Sequence, residues 1–140
     1  MAHAEEYGTV GEALADMPEL STFNHLVRRA DVIVVLDKEG PYTVFAPTNA
    51  AFDRLPENAI GSMVNEPGRL EAVMRYHVVT GLHPLEGLLD GEELPTLAGL
   101  TLSVVEADPG PWVGGSRVVR GDIPAANGRV HVIDAVMFPS

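Results

Sequence analysis

The ten residues Thr43-Val44-Phe45-Ala46-Pro47-Thr48-Asn49-Ala50-Ala51-Phe52 constrain the fold more than any other stretch of the chain. They demand a strand that stops and turns directly into a helix. Thr43, Val44 and Phe45 suit a pleated, half-buried surface. Pro47 keeps Ala46 out of the helical region, so the strand ends there. Thr48 follows as an N-cap whose hydroxyl accepts an orphan amide of the next turn. Phe52, four residues on, is expected to aim back at whatever Phe45 packs on. Leu55-Pro56 closes the short helix, because proline cannot continue it.

A second stretch, Val130 to Pro139, answers the first. One face carries Val130, Val132, Asp134, Val136 and Phe138, the other His131, Ile133, Ala135 and Met137. Both are mainly apolar, which predicts a strand over 130–138 covered on both sides.

Between and around these segments the pattern is helices first and strands later. Thr9 with Glu12 forms a capping box for a first helix, and Ser21 or Thr22 caps a second carrying Phe23, Leu26, Val27 and Ala30. Val32 to Leu36 reads equally as strand or as a helical turn. Helices are expected at 57–65 and 67–75, a strand from Tyr76 to Thr80, and a helical turn at 84–89. Short strands follow at 92–97, 100–106, 112–113 and 116–120, with Asn127-Gly128 as a hairpin signal. The class is α+β with a mostly antiparallel sheet system.

Blocks of the chain resemble the fasciclin-like (FAS1) domain family. "TVFAPTNAAF" is similar to its first signature block, "YHVV" at Tyr76-His77 to its central motif, and "NGRVHVIDAVMFP" to its closing block. The match covers residues 7–139. It implies two packed, mostly antiparallel β-sheets in a wedge, with a layer of helices from the N-terminal half. Residues 7–140 then form one domain, and residues 1–6 a disordered or expression-derived N-terminus. Phe45, Pro47, Thr48, Asn49, Phe52, His131 and Asp134 are its structural signature. The family is a scaffold of adhesion and matrix proteins and is usually exported, which implies a secreted or cell-envelope location with a leader removed.

Composition excludes several partners. The net charge of −11, with a single lysine among 140 residues, repels phosphate backbones and anionic headgroups. Neither nucleic acid nor membrane insertion is expected, since the longest apolar run falls far short of a span. With no cysteine there is no disulfide and no thiolate chemistry.

No Gly-x-Ser-x-Gly elbow, His-Glu-x-x-His pair or phosphate-binding glycine loop occurs. The five histidines are scattered, and no metal or cofactor is implied. His77, His131 and Asp134 are the one polar constellation. As an acid–base set, Asp134 would orient a histidine. As structure, Asp134 would accept bonds from Thr48, Asn49 or nearby amides and pin the corner, which is the reading adopted.

Arg120-Gly121-Asp122, followed by Ile123, has the chemistry of an integrin-type tip. Its carboxylate would complete a divalent cation's oxygen shell, and its guanidinium would pair with carboxylates. The competing reading makes Gly121 a bulge in the last hairpin. The resemblance aligns Asp122-Ile123 with a proposed Asp-Ile contact pair of animal matrix members, and Tyr76-His77 with a second contact motif. No Glu-Pro precedes Asp122, however, and Pro124 stands where a larger residue is usual. Trp112, the lone tryptophan, sits in a Gly/Pro-rich connection and reads either as a contact anchor or as a lid over the sheet.

The function expected is therefore a non-catalytic adhesion or interaction module with a protein or glycan partner. The alternatives are a carrier of an apolar ligand such as a carotenoid, in a groove beside Phe45, Phe52 and Met137, and an acid–base enzyme.

Overall fold

In the computed structural model, residues 8–36, 38, 41–56, 58–66, 68–83, 91–107 and 110–137 are described, with backbone alone for Ala107, Gly110 and Asp122. The helical turn expected at 84–89, residues 1–6, and Phe138 and Pro139 of the closing ribbon lie outside them.

Helix α1 (Val10–Asp16) starts at the expected cap. Thr9 Oγ1 accepts the Glu12 amide at 3.0 Å, and the Glu12 carboxylate reaches back to the Gly8 amide at 3.1 Å. A 3-10 turn over Pro18–Leu20 leads into α2 (Ser21–Arg29). Neither Ser21 nor Thr22 caps α2; the acceptor comes from another part of the chain, as described below. At the other end the Val32 amide bonds to the Val27 carbonyl at 3.0 Å and the Asp31 amide to that of Arg28 at 3.1 Å. This is a Schellman ending whose left-handed position, usually glycine, is held by Asp31 at φ 62°. The chain then continues into one helical turn, α3 (Ile33–Leu36), which resolves the open reading of Val32–Leu36.

Strand β1 (Tyr42–Pro47) runs into α4 (Asn49–Asp53), followed by α5 (Ala59–Asn65), α6 (Arg69–Tyr76) and β2 (Val78–Thr80). Tyr76 is thus the last residue of a helix with His77 as its C-cap, not the first of a strand. The second half supplies β3 (Glu93–Pro95), β4 (Thr101–Ala107), β5 (Gly110–Val113), β6 (Ser116–Ala125) and β7 (Gly128–Ile133). β6 is longer than expected and β7 shorter.

The strands are hydrogen-bonded in the order β2-β1-β7-β6-β5-β4-β3. β1 and β7 are parallel; the other pairs are antiparallel. A bridge between Val79 and Thr96 brings the first and last strands together, so the order curls back on itself. β6 belongs to both halves and changes register between Val118 and Arg120 and again between Arg120 and Ile123. Such irregularities bend a strand and raise its twist, and the seven-stranded order folds over so that β1, β2 and β7 share one apolar interior with β3, β4 and β5.

Gly128 opens β7 where no side chain fits: a Cβ there would sit against the Tyr42 carbonyl oxygen. Before it, Asn127 ties three segments together. Its Nδ2 donates to the Leu36 and Lys38 carbonyls at 2.7 and 2.6 Å, and its Oδ1 accepts the Val10 amide at 2.8 Å.

Alternation along β1 sends Val44 and Ala46 to the helix side, with Phe23, Leu26, Met74, Val130 and Val132. Phe45 goes to the other side, with Val79, Leu94, Leu102, Val104, Val113, Ile133 and Met137. Phe52, on α4, joins the helix-side cluster. The expectation that Phe52 aims back at what Phe45 packs on is therefore corrected: the sheet separates the two clusters.

Candidate functional site

The corner forms as the sequence demands. Thr48 Oγ1 accepts the Ala51 amide at 3.1 Å, and the Thr48 amide donates to the Ile133 carbonyl at 3.2 Å. Asn49 does what no local residue does for α2. Its Oδ1 accepts the Thr22 amide at 2.9 Å, while its Nδ2 donates to the Pro18 carbonyl at 3.0 Å and to Ser21 Oγ at 3.1 Å. β1 lies beside β7 in parallel register, with Phe45 opposite His131 and Pro47 opposite Ile133.

His77 is wholly buried. Its Nδ1–H donates to the Val73 carbonyl at 2.8 Å, and its Nε2 accepts the Met137 amide at 3.0 Å. A carbonyl only accepts and an amide only donates, so the ring is neutral with its proton on Nδ1. Burial lowers its pKa to about 4, against a smaller opposing effect of the Val73 carbonyl. Phe23 meets the ring edge-on, centroids 5.7 Å apart, and half-buried Tyr76 does so at 6.5 Å.

His131 is buried too; its Nε2 bonds to the His83 carbonyl at 2.8 Å and its ring lies 5.4 Å from that of Phe45. Asp134 accepts the Arg117 amide on Oδ1 at 3.0 Å, with Arg117 Nε 3.7 Å from Oδ2, inside ion-pair range but beyond a hydrogen bond. Its backbone carbonyl accepts Arg54 Nη1 at 2.6 Å. The acceptor role expected of Asp134 is present, and of the donors expected it is a backbone amide, that of Arg117, not Thr48 or Asn49, that fills it. Just past the end of β7, the Asp134 amide also donates to the Arg117 carbonyl at 3.0 Å, so backbone and side chain hold the same residue. Asp134 orients neither histidine. Among the described residues no three His, Asp or Glu side chains are grouped to hold a metal ion.

Arg120, Gly121 and Asp122 lie within β6, across its second register shift, rather than at the tip of a turn. The Arg120 side chain is 62% exposed and pairs with Glu19 at 3.0 Å. Ile123 is buried among the helix-side residues. The Asp122 side chain lies outside the described residues.

Trp112 is half-buried on β5, and its side chain belongs to neither core cluster. Val105 and Arg117 are its cross-strand partners. Val104 and Val113 point inward, so Val105, Trp112 and Arg117 form an outward row, with Val119 next along β6. Val105 is 51% exposed and Val119 43%. The sequence reading missed Val105, Arg117 and Val119. The alternation in Thr101–Ala107 was a signal for Val105, but nothing local named its neighbours.

An open groove of about 350 Å³ lies elsewhere, lined by Arg29, Ala30, Val64, Glu66, Leu70 and Glu71. The groove expected for an apolar ligand beside Phe45, Phe52 and Met137 is not a single space, since Phe52 is across the sheet from the other two.

The fasciclin domain family model matches residues 18–139. Protein sll1483 of Synechocystis is 37% identical over 94% of this chain and 73% of its own length. The cell surface glycolipoprotein MPB83 of Mycobacterium bovis is 36% identical over 93% of this chain and 60% of its own. Human periostin is 32% identical over 93% of this chain, which corresponds to 16% of periostin. Among solved structures, a FAS1 domain pair from the insect cell adhesion molecule fasciclin I superposes with a TM-score of 0.67, covering 85% of this chain and 45% of that one at 18% identity.

Proposed function

The chain belongs to the fasciclin domain family, and on that premise we propose that it is a non-catalytic interaction module of the cell surface or extracellular matrix, engaging a protein or glycan partner. One observation carries the reading: the groups with catalytic potential are committed to architecture. Both ring nitrogens of His77 hold backbone, and the Asp134 carboxylate holds Arg117. What faces outward is contact chemistry, with exposed Val105 and Val119 beside Trp112 and a projecting Arg120. Aromatic and arginine side chains are the residues that dominate interfaces.

Arg120 and Trp112 are the contact side chains of this proposal. Gly121 and Asp122 supply the irregular backbone beside Arg120, while Ile123 is buried on the helix side and His77 inside the protein, and neither presents a contact surface. A secreted or cell-envelope location is part of the same reading, supported by the cell-surface name of MPB83. No helix of the described residues is long and apolar enough to cross a membrane.

The test is attachment of native cells or matrix to the immobilised domain. Arg120→Ala and Trp112→Ala are each expected to weaken it by about tenfold or more. The exposed Arg120–Glu19 pair contributes little to folding, so Arg120→Ala reads contact rather than stability. Attachment unchanged in both variants would remove the assignment.

A further inference from the structure

Among the described residues, two buried donors on the outward row make no hydrogen bond. Trp112 Nε1 and Arg117 Nε are both shielded and both without a hydrogen-bond partner, and their residues are directly opposed across β5 and β6. Buried donors are nearly always paired, so two neighbouring exceptions call for an explanation. Neither side chain is part of a core cluster. The Arg117 side chain is 40% exposed, and the row runs straight into exposed Val105 and Val119. Tryptophan, arginine and small apolar neighbours on one open sheet face are what the centre of a protein interface is made of.

We infer that the outer face of β4–β5–β6 docks a partner protein segment that presents a carboxylate beside an apolar side chain. The sign of these groups selects the occupant: Trp112 Nε1 has no acceptor, and Arg117 Nε has only Asp134 Oδ2 at 3.7 Å, too far for a hydrogen bond. Two N–H donors, one on a guanidinium, require an acceptor, and an anionic one binds most strongly. Val105 and Val119 supply the apolar floor for the adjoining side chain. Two acidic groups on the same side are engaged: Asp134 holds Arg117 at one end, and Glu93, beyond β4, accepts the Thr101 hydroxyl at 2.8 Å. Neither is free to draw a cationic segment to the centre. Access to the shielded nitrogens takes a rotamer change of Trp112 and Arg117, a common response to binding.

The inference rests on the interaction-module reading, but its test needs no native partner. The chain has one tryptophan, so its indole N–H gives a single nitrogen–proton NMR cross-peak. Titration with 4-phenylbutyrate, a carboxylate on an apolar body, is expected to move that peak downfield and to saturate on the order of millimolar, as a fragment of this size should. The amide and amine analogues are expected to move it several-fold less. Arg117→Gln is expected to weaken the response about tenfold. Val105→Asp, at an exposed position that leaves folding intact, is expected to abolish it by repulsion.

An unmoved peak overturns the inference, as does an equal response to the amine or amide, or a response that survives Val105→Asp. A peak that moves with protein concentration alone overturns it in favour of a second copy on this face. Failure of the fragment with cell attachment still lost in Arg120→Ala would leave the interaction module standing and remove only this docking chemistry.

Discussion

His77 holds Met137: the imidazole Nε2 accepts the Met137 amide at 3.0 Å, while Nδ1–H is anchored on the Val73 carbonyl at 2.8 Å. A neutral ring thereby fastens the segment after β7 to α6 from inside the protein. Protonation would turn the acceptor into a donor facing a donor.

Stability should consequently fall in acid. The folded pKa of His77 is about 4, below the 6.5 of an unfolded histidine. The contribution of the neutral ring is complete above about pH 6.5 and is lost as pH falls through that value toward 4, amounting to a loss on the order of 3 kcal/mol. Urea unfolding at pH 7.5 and pH 4 measures it. In His77→Gln the difference between the two pH values should shrink by most of that amount.

Asn49→Ala should destabilise by about 1–2 kcal/mol, since it strips the cap from α2 and removes the bonds to Pro18 and Ser21. Asn49→Asp keeps an acceptor for the Thr22 amide but loses the donors, and should fall between. Equal stability of alanine and wild type in urea melts would show that Thr22 finds another acceptor.

Asn127→Ala should cost about 2–3 kcal/mol, because three bonds to the Val10 amide and the Leu36 and Lys38 carbonyls go at once. Hydrogen exchange offers the finer check. Protection of the Val10 amide should drop selectively, ahead of amides in the middle of β7.

Asp31→Gly should stabilise the protein by about 0.5–1 kcal/mol. Asp31 occupies a left-handed position at φ 62° that costs a side chain strain, and its charge opposes the negative end of α2. The added flexibility of glycine in the unfolded chain offsets part of the gain. A thermal midpoint unchanged or lowered would mean that Asp31 has a compensating contact.

The strand-to-helix corner and the first half of the closing ribbon were legible because their causes are local. Pro47 ends a strand and Thr48 caps a helix whatever surrounds them. The clamps were not legible, because their partners are remote. Asn127 reads as a turn residue, yet its bonds reach Val10 and Leu36, far back in the chain. Asn49 reads as one letter of a motif, but it caps a helix that precedes it. The expectation that Phe52 shares what Phe45 packs on failed for a different reason: spacing along the chain does not say on which side of a sheet a following helix will settle. Arg120-Gly121-Asp122 resembles a loop tip as text, and only strand pairing reveals it as part of a bent ladder. The outward row through Trp112 needed cross-strand register, which hydrophobic alternation alone cannot supply.

The parallel pairing of β1 with β7 sets the order in which the domain is completed during translation. β1 is made well before its parallel neighbour, so Val44 and Ala46 leave the ribosome long before Val130 and Val132 exist to cover them. Nascent chains stalled ahead of Gly128 should accordingly remain protease-sensitive, and those extended past Met137 and clear of the exit tunnel should become resistant in one step. Until then the apolar face of β1 stands open to chaperones, whose binding should be strongest before β7 emerges.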